Sequence, residues 1–186
     1  NYPPFAHAPI WCLVPFGKNL AFLIYLALCV GFVFYTSSRE LREASPWHTA
    51  FNAAGIALVS YPFLFLLHRG NFEIFNYIFV YLFAYFYGKG KWAASSLWLG
   101  VACAFKPFAL PFFALFLAKD KLKAGVWGLL SIMLLSIGSF MVMHGTIAEN
   151  FRAMLHNGAA YAVLYVKGPE GIAFGHTAFG LLRVLT

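Results

Sequence analysis

Apolar positions come in uninterrupted runs rather than in alternation, and each run ends at a small polar or basic connection. Ala124 to Met143 holds no charge over about 20 residues, enough to cross a bilayer core of about 30 Å. Leu20 to Tyr35 and Asn52 to Leu67 are each about 16 residues, short spans that flanking anchors make workable. Ile74 to Tyr87 is shorter and rich in Phe and Tyr, which suit a membrane interface as well as its interior. Trp92 to Phe105 and Phe108 to Ala118 are two undersized runs split by Lys106-Pro107. Each reaches about 15–20 Å at helical rise, so the pattern predicts a deep re-entrant break between them.

Three basic connections separate these runs: Arg39/Glu40/Arg42/Glu43, Lys89/Lys91 and Lys119/Asp120/Lys121/Lys123. Alternating crossings place all three on one side, which the positive-inside rule makes cytoplasmic. The opposite side then receives His68 to Glu73, the Lys106-Pro107 break and everything from His144 onward. Phe5 to Phe16 carries Pro9 and Pro15, and three readings stay open for it: crossing, dipping in or lying flat. After His144, Thr146-Ile147-Ala148-Glu149 matches a capping box. Ile147, Phe151, Met154 and Leu155 then recur at helical spacing opposite Glu149, Asn150 and Arg152. This predicts an external amphipathic helix, with Asn157-Gly158 as its stop signal. Lys167-Gly168-Pro169-Glu170-Gly171 reads as a turn.

Composition agrees with the pattern. Of 186 residues, 62% are hydrophobic, 20% aromatic and 10% charged, against about 25% charged in an ordinary soluble domain. A water-soluble fold of this size has too little interior for that load. The net charge of +7 is spread over small clusters between apolar runs, a membrane pattern and not a nucleic-acid patch. Cys12, Cys29 and Cys103 are widely spaced within apolar runs and read as packing residues. The fold class expected is all-α, a polytopic membrane bundle with short or re-entrant helices in residues 1–143 and an external segment in 144–186. The chain opens on Asn1-Tyr2-Pro3-Pro4 and stops as an apolar run begins, so it reads as an internal piece truncated at both ends.

Chemistry has few places to reside. Metal-ligand spacing, CxxC pairs, phosphate-cradling glycine loops and nucleophile elbows are all missing from the sequence. His68-Arg69-Gly70-Asn71-Phe72-Glu73 offers a guanidinium fork for phosphate and an amide for sugar hydroxyls, although an interhelical turn with a snorkelling Arg explains it too. Lys106 inside an apolar hairpin costs roughly 2.5–3.5 kcal/mol on insertion scales, so it faces protein, water or an anion, or else snorkels to an interface. Glu170 and His176 share a glycine-rich loop able to fold over a ligand, where a lone His also serves structure.

The order of these residues carries a resemblance. Tyr2-Pro3-Pro4-Phe5, then Arg69-Gly70-Asn71 after a span, then Leu99 to Pro107, then a basic turn and another span, resemble glycosyltransferase family 87. That family comprises polyprenyl-phosphate-mannose-dependent, mannosyltransferase-like membrane proteins of the GT-C superfamily. The likeness covers roughly Tyr2 to Met143. Many relatives carry Gly-Gln-x-Asn where this chain has Gly70-Asn71-Phe72-Glu73, and Lys-x-x-Pro where it has Lys106-Pro107 with a second proline at Pro111.

The resemblance implies a GT-C-like fold and transfer of a sugar, mannose first, from a polyprenyl-phosphate donor to a hydroxyl of a glycan or glycolipid acceptor. The reaction would lie at the outer face of a bacterial plasma membrane. It implies Lys106 and Arg69 on the donor phosphate, and Asn71, Glu73, Glu170 and His176 around the sugar and acceptor, with His176 a possible catalytic group. The family's acidic base lies upstream of the Tyr-Pro-Pro motif, so it is expected before residue 1 and the piece alone is expected to be inactive. No cofactor and no nucleic-acid partner are implied; a divalent metal stays open. A transporter or flippase for a lipid-linked or anionic substrate is the main alternative, since broken helices and buried charges also mark transport paths. A non-catalytic membrane subunit is the third.

Overall fold

The computed structural model describes residues 4–40, 45–59, 63–64, 67, 72–161 and 163. Every element among them is helical. A 3₁₀ turn at Pro4–His7, α1 at Ala8–Leu13 and a second 3₁₀ turn at Val14–Phe16 lead directly into α2, Gly17–Glu40. Pro9 and Pro15 leave this opening stretch helical, and Gly17, at φ +70° and ψ 166°, interrupts the helical geometry at its junction with α2.

Helix α3, Pro46–Val59, packs on α2. It starts earlier than the apolar run because Ser45 accepts the His48 N–H on its hydroxyl and the Thr49 N–H on its carbonyl, ahead of Pro46 in the first helical position. Helices α4, Glu73–Gly88, and α5, Trp92–Phe105, form an antiparallel pair. The Ser95 hydroxyl donates to the Phe83 carbonyl at 3.0 Å, and Phe79 stacks on Trp98 at 5.9 Å between ring centroids.

Lys106 then leaves the helix in extended conformation (φ −153°, ψ 121°) while its N–H still closes the last turn onto Ala102. The residue before a proline is driven out of the helical region by the pyrrolidine ring, so Pro107 dictates this break. The next element is a 3₁₀ helix, Pro107–Phe116, in place of the α-helix that the apolar run suggested. At a rise of about 2.0 Å per residue its 10 residues reach about 20 Å, matching the 14-residue α5 at about 1.5 Å per residue. The stretched helix therefore returns the chain to the Trp92 end: Phe116 meets Tyr87 edge-on at 5.7 Å.

Helix α6, Leu122–Val142, runs parallel to α5 and is the second element long and apolar enough to cross a membrane. Gly100 of α5 and Gly128 of α6 make the contact possible. A β-carbon on Gly128 would stand 2.6 Å from the Ser96 carbonyl oxygen and 2.7 Å from the Phe113 ring, so the backbones approach as small residues allow in membrane bundles. The core gathers Phe83, Leu99, Ala102, Cys103, Ala109 and Phe116, while Leu129, Met133, Leu134, Ile137 and Met141 of α6 point outward. Large apolar side chains on the outer face suit a lipid surrounding.

The expected capping box forms. Thr146 donates its N–H (2.8 Å) and hydroxyl (2.9 Å) to the Glu149 carboxylate, and the Glu149 N–H returns to the Thr146 hydroxyl (3.2 Å). Gly145, at φ +95°, turns the chain into it. Helix α7 spans Ile147–Tyr161, so it passes through the expected stop at Asn157-Gly158. Gly158 keeps a negative φ and so does not make the left-handed turn that ends a helix. The helix docks by its half-buried Asn150 and Met154, leaving Ile147, Phe151 and Leu155 exposed. The Asn150 amide donates to the Phe140 carbonyl at 3.3 Å.

Candidate functional site

The bundle has two chemically different ends. All three basic connections meet at one of them: Arg39 and Lys89 stand over the Tyr85 ring, and Lys121 over Tyr87 and Trp92. The clustering expected from alternating runs is thus present in the fold.

At the other end, Lys106 donates to the Glu73 carboxylate in an ion pair across 33 residues of sequence. Helix α4 begins at Glu73, where the acid also faces the positive end of the helix dipole. The break imposed by Pro107 swings Lys106 out of α5 toward it. Side-chain exposures of 35% for Lys106 and 22% for Glu73 leave both within reach of a ligand. Because Gly100 stands level with Gly128 and Ser131, α5 ends well short of the last turns of α6. The amine is therefore recessed and not carried at the tip of the bundle.

One turn into α4, Asn76 is 1% exposed, and neither side-chain atom has a hydrogen-bond partner among the described residues. An unsatisfied buried amide costs about 1–3 kcal/mol. It shares a helix face with Glu73. The antiparallel register set by Lys106–Glu73 and Ser95–Phe83 puts it level with Ala102 and Cys103. In an apolar aromatic helix this polar residue is the signal that sequence reading passed over.

Two cavities open at the same end. One, about 370 Å³, is lined by His7, Asn150 and Asn157 together with Pro4, Met143, Ala153 and Met154. Its polar lining comes from the opening 3₁₀ turn and from α7, and only folding brings the two together. The other, also about 370 Å³, is an apolar cleft between α2 and the start of α4, lined by Val14, Lys18, Phe22, Tyr25 and Phe72 among others. Phe72 stacks on Phe75 and tilts against Tyr25, next in sequence to the Glu73 of the ion pair.

Of the residues singled out in the sequence, Lys106 and Glu73 are brought together. Arg69, Asn71, Glu170 and His176 lie outside the described residues. Among the described residues, no three His, Cys, Asp or Glu side chains gather as a metal site would require.

A family model for glycosyltransferase family 87 matches residues 1–178. No curated protein and no solved structure gives a significant match to the chain.

Proposed function

Because the chain belongs to glycosyltransferase family 87, a family of membrane-associated glycosyltransferases, we propose that it forms the donor-phosphate side of a polytopic membrane glycosyltransferase. The observation that carries this reading is the Lys106–Glu73 pair at a helix break, at the end of the bundle away from the basic connections. With those connections cytoplasmic by the positive-inside rule, Lys106 faces the outer side. The donor is a polyprenyl-phosphate sugar, mannose in the first instance, and the acceptor is a hydroxyl of a glycan or glycolipid. The membrane is a bacterial plasma membrane.

Transfer breaks the bond between the anomeric carbon and the phosphate oxygen, and forms a bond from that carbon to the acceptor oxygen. A carboxylate base takes the acceptor proton. Positive charge develops at the sugar ring and negative charge on the departing lipid phosphate. A cation held where that charge grows is worth more than one recruited from solvent. Glu73 keeps the Lys106 ammonium pointing into the site, and the phosphate then competes with Glu73 for it; Arg69 is the second cation. Asn71 serves the sugar or the turn geometry. Glu170, His176 and the cavity of His7, Asn150 and Asn157 serve the acceptor side, and the cleft beside Phe72 accommodates the first units of the prenyl tail.

The test is to supply the full-length parent protein in lipid with radiolabelled polyprenyl-phosphate mannose and an acceptor-lipid extract. Label moving into glycolipid, and failing to move with Lys106→Gln, supports the reading. No transfer from this or any related polyprenyl-phosphate sugar by folded protein refutes it.

A further inference from the structure

A second groove lies between α2 and α4, toward the basic end. It has a volume of about 380 Å³ and is lined by Ala27, Leu28, Gly31 and Phe32 of α2 and by Ile78 and Leu82 of α4, and it closes on Tyr35 and Tyr81. Those two tyrosines meet edge-on at 6.0 Å, and Tyr81 stacks on Tyr85 at 6.4 Å with the planes 17° apart. The Tyr85 ring carries two cations, the Arg39 guanidinium at 4.9 Å and the Lys89 ammonium at 4.6 Å from its centroid. Arg39 also donates to the Tyr35 hydroxyl at 3.5 Å. The apolar groove thus ends at tyrosines whose rings connect it to a pair of exposed positive charges.

Sharing one ring, the two cations sit within a single Debye length, about 10 Å at 0.1 M salt, and repel one another. Aromatic faces attract each of them but do not neutralise them. Among the described residues neither forms an ion pair with a carboxylate. An anion carrying a long apolar tail satisfies both halves of the site at once. We propose that this groove binds an anionic glycerophospholipid of the leaflet at the basic end, its phosphate between Arg39 and Lys89 and one acyl chain along Gly31 and Ile78. The inference rests on the membrane-spanning reading but not on sugar transfer. The sugar donor is a separate occupant: Glu73, beside Lys106, begins α4 some 12 residues before Tyr85, about 18 Å at helical rise. One phosphate cannot serve both ends.

The experiment reconstitutes the full chain with spin-labelled phosphatidylglycerol or phosphatidylcholine and compares the motionally restricted fraction of each. Wild type should retain phosphatidylglycerol at least about threefold over phosphatidylcholine, in line with the contribution of one or two interfacial cations. Arg39→Gln with Lys89→Gln should abolish that preference, while Lys119→Gln with Lys123→Gln, at the same end but away from Tyr85, should keep it. Gly31→Leu should lower retention of both lipids, since a β-carbon there meets nothing within 4 Å and the side chain enters the groove. Equal retention by wild type, or a preference that survives the Arg39/Lys89 double change, overturns the proposal. So does displacement of the labelled lipid by an equal amount of polyprenyl phosphate, which would identify the carrier as the occupant. Sugar transfer, assayed in the same vesicles, reports on the enzyme reading independently.

Discussion

The Lys106 ammonium and the Glu73 carboxylate meet where α5 ends and α4 begins, so one ion pair ties the proline break to the turn before α4. Neither residue would mark a site alone. Together they give the bundle a recessed polar point at the end away from its basic connections.

Replacing Lys106 with Gln should lower sugar transfer at least about tenfold, the smallest loss expected when a charge-assisted contact to a developing anion is removed. Lys106→Arg should recover part of the rate, since it keeps the positive charge while replacing the compact ammonium with a wider planar fork. Measured with saturating donor, the loss should fall on kcat. A wild-type rate with Gln would take this amine out of the site.

Asn76 separates ligand binding from stability. Its amide has no partner among the described residues, so Asn76→Leu removes an unsatisfied group of similar volume and should hold or raise the thermal midpoint. If the amide serves a bound sugar or an ordered water at the site, transfer should fall about tenfold in the same variant. A lower midpoint with an unchanged rate would show that Asn76 is purely structural.

The close approach of α5 and α6 should not tolerate a methyl group. At Gly100 a β-carbon would overlap the Ser131 hydroxyl and come 2.5 Å from the Gly128 carbonyl oxygen, and backbone cannot swing aside. Gly100→Ala and Gly128→Ala should each cost about 1–3 kcal/mol, read as loss of folded protein in detergent. Gly138→Ala, with nothing within 4 Å of the new carbon, should be neutral or slightly stabilising.

Helix α7 should loosen in acid. Donation from the Thr146 backbone N–H, then from its hydroxyl, holds the Glu149 carboxyl below the usual carboxylate range. A carboxylate so depressed stabilises the fold fully above its unfolded value of about 4.3, and the contribution is lost as pH falls through the folded value. Amide protection across Ile147 to Phe151, measured relative to the intrinsic exchange rate at each pH, should therefore fall below about pH 4. In Glu149→Gln, which has no charge to lose, protection should be lower at neutral pH and should lack this acid-dependent step.

Much of this architecture is written along the chain. Uncharged runs marked α2, α4, α5 and α6 to within a few residues, because burying or bilayer-embedding a helix demands continuous apolar character whatever its neighbours are. Thr146 and Glu149 announced α7, since a capping box closes on atoms three residues apart. Lys106 stood out because a lone amine between apolar runs is costly.

Tertiary structure alone decided the rest. Whether Pro107 to Phe116 coils as an α-helix or stretches into 3₁₀ depends on the distance it must cover beside α5, and that is a property of its neighbours. Glu73 became the partner of Lys106 through an antiparallel register fixed by contacts far from both. His7, Asn150 and Asn157 share a cavity because the opening 3₁₀ turn packs where α6 gives way to α7. Hydropathy and caps act over a few residues and can be read in one dimension. The pairing of charges and the walls of a cavity depend on which surfaces the folded chain brings into contact.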